Sequence, residues 1–473
     1  MRTVSLVLAL VLTSATASAQ SVVWHRELRA REELSALQML RFDDAPGMPL
    51  LSIGLLQYGG SRHGDPNSQF VLPPASMQVG DRVYTNLTEG GGAQDQFVVQ
   101  VGPDGSFHDV LRVEGHGNSV LVTVTPLARG GYAIAGIGPP GARVATAQLA
   151  SPGDPQWAHW FVARLDASGA RVWTFEPRAS ADNDEAYFTQ VLEDAAGDLY
   201  FIGSFHRELR LPDGRRFTSG YFSGFIGKLD GATGALEWIQ TMPTGSFTRI
   251  AILSSGELIA SGGFVRRARI GRVTLGGGRP GESGNFLARF DSRGRVTSFI
   301  EPGGAATRGR GLDSMRIDGD TAYFTWSRPR TSPAEPGVTR NERGVLAYSL
   351  SADALLWDRI LGADPSAPVA PGLPGPTGFG ISDLALTPTE LYVAVSADGR
   401  FAHAGQVIDG ARTPVLLRFD RRGNPLGMAM IDGGRPSWDV RLTMTPAGAV
   451  VTGNRVPESG RLPHEGFVEH IRF

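Results

Sequence analysis

The residues with the clearest chemical potential are three acidic side chains that lie close together in a turn-rich stretch. Asp182, Asp184 and Glu185 fall within the segment ADNDEAY. Carboxylate oxygens are the ligands that Ca²⁺ prefers, so these side chains form a candidate calcium site. Because the spacing lacks the glycine turn and distal glutamate of a dedicated calcium loop, a solvated acidic turn is the simpler interpretation.

A second group of polar residues falls where short β-rich segments begin. The candidate ligand-binding residues of this group are His116, Arg310, Asp313, Asp383, Trp438 and Asp439. A mixture of charges with one indole suits a polar ligand or a sugar, whose ring can stack on Trp438. Asp313, Asp383 and Asp439 would be the acid and base of a hydrolase or lyase. A water-filled channel that binds nothing explains the same residues.

The usual catalytic and cofactor motifs are absent or fail their structural context. No G-x-S-x-G or H-E-x-x-H occurs, and the chain has no Cys, which excludes thiolate metal sites and a Cys nucleophile. Gly136, Gly138 and Gly141 spell G-x-G-x-x-G, but two prolines stand in the middle and no helical pattern follows. We therefore expect no cofactor other than the possible Ca²⁺.

Composition favours a turn-rich globular protein. The 473 residues include 62 Gly and 31 Pro, with 41% hydrophobic and 19% charged residues. This is too apolar for a disordered chain and too rich in turn formers for a helical bundle. The net charge of −2 gives no reason to expect nucleic acid or an acidic membrane surface as a partner.

The N-terminus has the pattern of a secretory signal peptide. Arg2 precedes an apolar run at 4–12, and Ala17-Ser18-Ala19 forms an A-x-A cleavage site. We expect cleavage after Ala19, removal of 1–19, and a secreted or periplasmic monomer formed by 20–473. No later stretch approaches the 18 apolar residues of a membrane-spanning helix, so no membrane span is expected.

Internal repeats organise the rest of the chain. Similar segments begin at 160 (WFVARLDASGARVW), 224, 285 and 414, with weaker copies at 96 and 344 and a half copy at 466–473. The period is near 60 residues, and the alignment of the copies makes Leu350 the equivalent of Leu229. Each copy alternates apolar and polar residues around an Asp–Gly turn, and a second hairpin lies between copies. Four short strands per unit predict a β-propeller.

The ends of the chain predict how the ring closes. The C-terminal half copy lacks a fourth strand, whereas residues 21–26 read SVVWHR, with Trp24 in the position of Trp173, Trp238 and Trp357. Counting strands gives seven blades of four. We therefore predict one all-β, seven-bladed propeller domain over 20–473, with 22–25 lying beside 467–471 to complete the last blade.

The F-V-A-R-L-D-x-x-G-x-x-x-W unit and the hairpin A-x-G-D-L-Y-F-I-G-S-F resemble bacterial β-propeller repeats of the SBBP type, which occur widely in exported proteins. The resemblance covers nearly all of 20–473 and implies a propeller. It implies no agreed activity and no catalytic residues.

Long connections indicate where function would reside. The insertion 56–94, together with 138–158, 327–343 and 362–380, falls on the face opposite the short hairpin turns, around the mouth of the central channel. One hypothesis is an exported, non-enzymatic propeller that binds a protein, glycan or cell-surface component through this face. The alternative is a propeller enzyme that cleaves glycans or peptides with carboxylates at the channel mouth.

Overall fold

The computed structural model describes residues 21–30, 35–43, 49–57, 76–79, 82–85, 94–114, 121–138, 143–144, 147–148, 159–179, 186–276, 283–302, 311–331, 339–361, 380–455 and 465–472. This part of the chain is almost entirely antiparallel strand, with one 3₁₀ turn at Asp432–Gly434. None of its segments forms a helix long and apolar enough to cross a membrane. The predicted seven-bladed β-propeller is confirmed.

The first eleven strands contain blade 1, the outer strand of blade 7, the first two strands of blade 2 and two short hairpins. They are β1 (Ser21–Ala30), β2 (Ser35–Asp43), β3 (Leu50–Gln57), β4 (Ser76–Val79), β5 (Arg82–Thr85), β6 (Gln94–Val101), β7 (Phe107–Glu114), β8 (Leu121–Pro126), β9 (Tyr132–Gly138), β10 (Arg143–Val144) and β11 (Ala147–Gln148). Blade 1 has the order β2-β3-β6-β7 from the channel outward, and β10 and β11 extend its outer edge.

The next thirteen strands complete blades 2, 3 and 4. They are β12 (His159–Leu165), β13 (Arg171–Phe175), β14 (Arg178–Ala179), β15 (Ala186–Glu193), β16 (Leu199–Arg210), β17 (Arg216–Leu229), β18 (Leu236–Pro243), β19 (Gly245–Ile252), β20 (Leu258–Val265), β21 (Ala268–Ile270), β22 (Val273–Leu275), β23 (Ser283–Phe290) and β24 (Val296–Ile300). Blade 2 is β8-β9-β12-β13, blade 3 is β15-β16-β17-β18, and blade 4 is β19-β20-β23-β24.

The last eleven strands form blades 5 and 6 and most of blade 7. They are β25 (Gly311–Asp318), β26 (Thr321–Thr331), β27 (Thr339–Ser349), β28 (Ala354–Leu361), β29 (Gly380–Leu386), β30 (Glu390–His403), β31 (Gln406–Asp420), β32 (Pro425–Met430), β33 (Ser437–Thr445), β34 (Gly448–Arg455) and β35 (Glu465–Arg472). Blade 5 is β25 to β28 and blade 6 is β29 to β32. Blade 7 is β33-β34-β35-β1, so its outer strand comes from the N-terminus.

The ring closes as the two chain ends predicted. β1 runs antiparallel to β35, with Val22 opposite Ile471, Trp24 opposite His470 and His25 opposite Glu469. Each inner strand lies against those of the neighbouring blades, including β2 against both β33 and β8. Because successive side chains of a strand point to opposite faces of its blade, both faces carry apolar residues. Each blade buries these residues against its neighbours in the ring.

The two faces of the propeller differ in their connections. The inner hairpins and the outer hairpins of the blades turn on one face, which we call the turn face, through short Asp–Gly turns such as 166–170 and 194–198. In the first of these, the Asp166 carboxylate accepts hydrogen bonds from the backbone N–H groups of Ser168 and Ala170, and Gly169 supplies a φ of +83°. The strands that the longer connections join end or begin on the opposite face, which we call the loop face.

The described part of the insertion 56–94 does not lie at the channel mouth, where the sequence placed it. β4 and β5 form a hairpin that adds to the outer edge of blade 7, with Met77 opposite Ala30 of β1. Tyr84 of the hairpin donates a 2.7 Å hydrogen bond to Asp109 of blade 1 and packs edge-on against Phe97. The hairpin therefore joins blades 7 and 1 beside the closing strand. It pairs there because an edge strand presents backbone N–H and C=O groups that have no partner within the blade.

A tryptophan joins neighbouring blades at four junctions. The residue that follows the β-bulge of the outer strand is Trp24, Trp173, Trp238 or Trp357 in blades 7, 2, 3 and 5. Each indole N–H donates to a backbone carbonyl in the outer turn of the next blade: Pro103, Gly231, Ser292 and Arg421. The ring also covers a glycine with positive φ in that turn, where a Cβ atom would overlap the indole.

Candidate functional site

The inner strands reach the channel with a shared irregularity that aims specific side chains. Among the described strands, every inner strand except β8 has a β-bulge against its neighbour. A bulge frees one backbone N–H group from the ladder. Gln190 accepts a 2.8 Å hydrogen bond from the backbone N–H of Ile250 in the next blade, and the equivalent Asp383 accepts one from Leu442. This position therefore links successive blades.

The structure describes only part of the predicted set of site residues. His116, Arg310, Asp182, Asp184 and Glu185 lie outside the described residues, and so does the candidate calcium site. Trp438 and Asp439 fall in β33 at its β-bulge, and their side chains are outside the described part. Asp313 and Asp383 are described in full, and the two carboxylates have different environments.

Asp313 lies near the loop-face end of β25, beside the channel. Its side chain is exposed, and desolvation by the surrounding protein raises the pKa of its carboxyl group. Both observations fit a group that faces a recess rather than open solvent. A hydrogen bond from Ser327 and the positive charges of Arg343 and Arg249 oppose this shift. Burial also lowers the pKa of Arg343, while the Asp313 charge counteracts that shift. The structure thus places a carboxylate among cations here.

Asp383 has a structural role rather than the predicted position at the mouth. It is buried, and its Oδ1 accepts a 2.9 Å hydrogen bond from the backbone N–H of Leu384. Its Oδ2 accepts from the N–H of Leu442, and the Arg316 guanidinium lies 3.6 Å from Oδ1. A carboxylate that holds two strands and pairs with an arginine is not free to act as an acid or base on a ligand.

A cavity of about 690 Å³ opens on the loop face over blade 4 and the adjoining parts of blades 3 and 5. We call it the front cavity; it is lined by Phe222, Gly311 and residues 244–246, 263–266 and 283–285. Glycines form much of its floor, and a Cβ atom added at Gly263 would meet only the carbonyl of Gly284, at 3.7 Å. The Asp313 carboxylate lies 3.8 Å from the Cβ position of Gly311, at the channel side of the cavity.

The front cavity combines apolar walls with polar edges. Phe222, Phe264 and Val265 contribute apolar surface, while Ser246, Ser283 and Arg266 contribute hydroxyl and guanidinium groups. Pockets of roughly 300–1,000 Å³ with a few convergent polar groups are typical of small-ligand sites. Sequence reasoning missed this cavity, because its residues come from three blades and half of them are glycines and serines without a motif.

The described residues bring together one acidic cluster that could hold a metal, and a lysine already occupies it. Oxygens of Asp198, Asp230 and Glu237 lie within 4.8 Å of one another on the turn face of blade 3. The Lys228 ammonium lies 2.6 Å from Asp198 and 3.1 Å from Glu237. Burial favours the neutral amine, but these hydrogen bonds outweigh it and raise the lysine pKa. The cluster is therefore an ion-pair network of the chain's single lysine.

A second charged cluster lies where the ring closes. The Arg455 guanidinium donates two 2.9 Å hydrogen bonds to the buried carboxylate of Asp432. Glu469 accepts from the backbone N–H of Asp432 and lies 3.0 Å from His25 Nδ1. The cluster connects β1, β34, β35 and the 3₁₀ turn. Pairing of the chain ends could have indicated the contact of His25 with Glu469, but nothing local indicated Asp432.

Fold and site define a seven-bladed β-propeller with a ligand-sized cavity on its loop face. No protein-family model matches the chain, and no curated protein matches it, so the resemblance to SBBP-type repeats stays a prediction. A solved polysaccharide lyase, Uly1, is 8% identical with a TM-score of 0.45, covering 94% of this chain and 99% of that one. A putative hydrolase from Bacteroides ovatus is 11% identical with a TM-score of 0.28, covering 63% and 93%. These similarities carry no argument about activity.

Proposed function

We propose that the protein is an exported, non-enzymatic propeller that binds a small polar ligand, or the end of a glycan or peptide chain, in the front cavity. The observation that carries this proposal is the cavity itself, about 690 Å³ in volume and open on the loop face. Its size suits one small ligand rather than a broad protein interface. The apolar walls would cover one face of a sugar or side chain, while the hydroxyl and guanidinium groups fix its orientation.

The arrangement of carboxylates favours binding over cleavage. Glycoside hydrolysis usually needs two carboxyl groups on either side of the scissile bond. Among the described residues that line the front cavity there is no Asp or Glu, and the Asp313 carboxylate lies beside it. Asp383, the other described candidate, is buried between two strands and an arginine. The alternative is a glycan or peptide lyase or hydrolase, and in its glycoside hydrolase form it would need a second carboxylate at the cavity.

A cavity-filling variant tests the binding proposal. Purified chain without 1–19 is first screened on an array of neutral and acidic oligosaccharides and on a peptide array. We expect Gly263→Leu to abolish binding of the resulting hits, because its Cβ would meet only the Gly284 carbonyl, at an ordinary contact distance of 3.7 Å, and the side chain would enter the cavity. Gly427→Leu is the matched control, since a Cβ there meets nothing within 4 Å and lies in blade 6.

The outcomes separate binding from catalysis. Hits that bind Gly263→Leu as tightly as the unmodified chain would contradict the assignment of the site. Release of oligosaccharide or peptide fragments from a hit, lost in Asp313→Asn, would instead establish the enzymatic alternative. Export is tested independently, by N-terminal sequencing of the protein recovered outside the cytoplasm, which we expect to begin at Gln20.

A further inference from the structure

The junction between blades 4 and 5 lacks the tryptophan that joins other blades. In β24 the residue after the bulge is Ser298, which pairs with Arg289 as Trp173 pairs with Arg164 in blade 2. In the facing turn of blade 5, Asp353 with a φ of +51° takes the place of Gly234 in blade 3. Both halves of the tryptophan–glycine contact are therefore replaced at the same junction.

The junction of blades 2 and 3 shows what is missing. There the Gly231 carbonyl accepts two hydrogen bonds, one from Arg164 and one of 3.0 Å from the Trp173 indole. At the junction of blades 4 and 5 the equivalent Leu350 carbonyl accepts from Arg289. In the described part of the structure it has no second donor. A carbonyl with two lone pairs can take that second hydrogen bond.

A cavity occupies the place of the absent indole. It has a volume of about 370 Å³ and is lined by Ser298, Leu350 and Asp353 among others; we call it the junction cavity. Tyr348 also lines it, at the ladder position where Phe290 of blade 4 receives the stacked ring of Trp238. The Tyr348 hydroxyl is buried and has no hydrogen-bond partner among the described residues. A buried hydroxyl without a partner is costly.

We propose that the junction cavity binds an indole-type aromatic amine. A planar ring with an N–H group would replace the missing tryptophan, donating to the Leu350 carbonyl and covering Tyr348. The carboxylates of Asp353 and Glu257 line the same cavity, whereas the one lining cation, Arg289, is engaged with Leu350. Negative charge at the cavity favours an ammonium substituent on the ring.

A free ligand fits this junction better than a tryptophan in the chain would. At the junction of blades 2 and 3, a Cβ at Gly234 would lie 2.6 Å from the Trp173 ring. Asp353 has that Cβ, so a tethered indole in the same position would overlap it. A ligand without a backbone tether can shift within the cavity and keep both the ring contact and the charge contact.

Isothermal titration calorimetry with tryptamine tests the proposal, with indole-3-acetate as the probe of opposite charge. We expect saturable tryptamine binding and at least tenfold weaker binding of indole-3-acetate. The variant Ser298→Trp/Asp353→Gly restores the tryptophan junction and should weaken tryptamine binding at least tenfold. Gly427→Trp, at the same ladder position in blade 6, is the matched control and should bind as the unmodified chain does.

A second variant keeps the test decisive if the rebuilt junction folds poorly. Asp353 is exposed, so Asp353→Asn removes the charge without disturbing the core, and it should weaken tryptamine binding several-fold. Absence of saturable tryptamine binding by the unmodified chain overturns the proposal. Equal affinity of tryptamine for the unmodified chain and the rebuilt junction also overturns it, as does tighter binding of indole-3-acetate than of tryptamine.

Discussion

The indole N–H of Trp24 donates a 2.8 Å hydrogen bond to the carbonyl oxygen of Pro103. Trp24 belongs to the N-terminal strand that completes blade 7, and Pro103 lies in the outer turn of blade 1. This hydrogen bond therefore crosses the point at which the ring closes. The same contact recurs at three junctions within the ring, so the closure uses the device that joins ordinary neighbours.

Removal of the closing indole should destabilise the whole protein. Trp24 is 8% exposed, and replacement of a buried Trp by Ala costs roughly 3–5 kcal/mol. We expect Trp24→Ala to lower the free energy of unfolding by about that amount in urea titrations followed by circular dichroism. Val22→Ala on the same strand is the control, because Val22 is 51% exposed and its loss should cost less than about 0.5 kcal/mol. Equal losses in the two variants would contradict the role of Trp24.

Two equivalent turn glycines should differ in their tolerance of alanine. Gly169 and Gly423 have φ values of +83° and +77°, so alanine at either position costs roughly 1–2 kcal/mol. A Cβ at Gly423 would also lie 2.7 Å from the Trp357 ring, whereas one at Gly169 meets nothing within 4 Å. We expect Gly423→Ala to lose about 1–3 kcal/mol more than Gly169→Ala in chemical denaturation. A smaller loss for Gly423→Ala would show that the indole does not rest on this turn.

Breaking the charged cluster at the closure should be costly. In Arg455→Met the Asp432 carboxylate, whose side chain is fully buried, loses both hydrogen bonds from the guanidinium. Removal of one partner of a buried ion pair costs roughly 3–5 kcal/mol. Thermal unfolding should show a clearly lower Tm than for Arg29→Met, whose side chain is 59% exposed in its ion pair with Glu27. A Tm unchanged by Arg455→Met would argue against this cluster as a closure.

Asp313 should make stability depend on pH with a sign opposite to that of the turn aspartates. Desolvation raises the pKa of Asp313 in the folded state above the unfolded value of roughly 3.9. Its ionisation therefore opposes folding increasingly as the pH rises through the unfolded and then the folded pKa. Because asparagine does not ionise, Asp313→Asn should raise the urea midpoint at pH 7 and leave it unchanged at pH 3.

Asp291 supplies the control for this pH dependence. Hydrogen bonds from the backbone N–H and side chain of Arg295 outweigh desolvation and lower the pKa of Asp291. Its contribution is present above the unfolded pKa and is lost as the pH falls through the folded pKa. Asp291→Asn should therefore lower the urea midpoint at pH 7 and have less effect at pH 3. The same direction of change in both variants would contradict these environments.

Turn chemistry and strand alternation carried most of the fold prediction. The Asp166–Gly169 and Asp291–Gly294 turns are local. In each one the carboxylate accepts hydrogen bonds from backbone N–H groups of the same turn and the glycine supplies the positive φ, so no distant residue is needed. Trp24 could be aligned with Trp173 because the strand pattern around each tryptophan is also local. The sequence alignment of blade 5 was wrong: the strand register makes Tyr348, and not Leu350, the equivalent of Leu229 in blade 3. The outer turn of blade 5, at 349–354, has no Asp–Gly pair to mark its register.

Placement relative to other blades could not be derived in the same way. The hairpin of β4 and β5 comes from a long connection in blade 1, yet it adds to blade 7 because β1 offers an unpaired edge. Asp383 reads as a polar residue facing the channel, yet a β-bulge turns it towards Leu442. Each outcome depends on which neighbour packs against the residue.

By itself, the sequence determined the seven-bladed architecture and its closure by the N-terminal strand, since periodic alternation and turn residues act within a few residues of one another. Tertiary structure alone decided where the cavities lie. The front cavity forms where glycines of separate blades meet, and the junction cavity forms where Ser298 faces Asp353. An empty volume is a property of the surfaces that surround it, and those surfaces come together only when blades distant in the chain pack side by side.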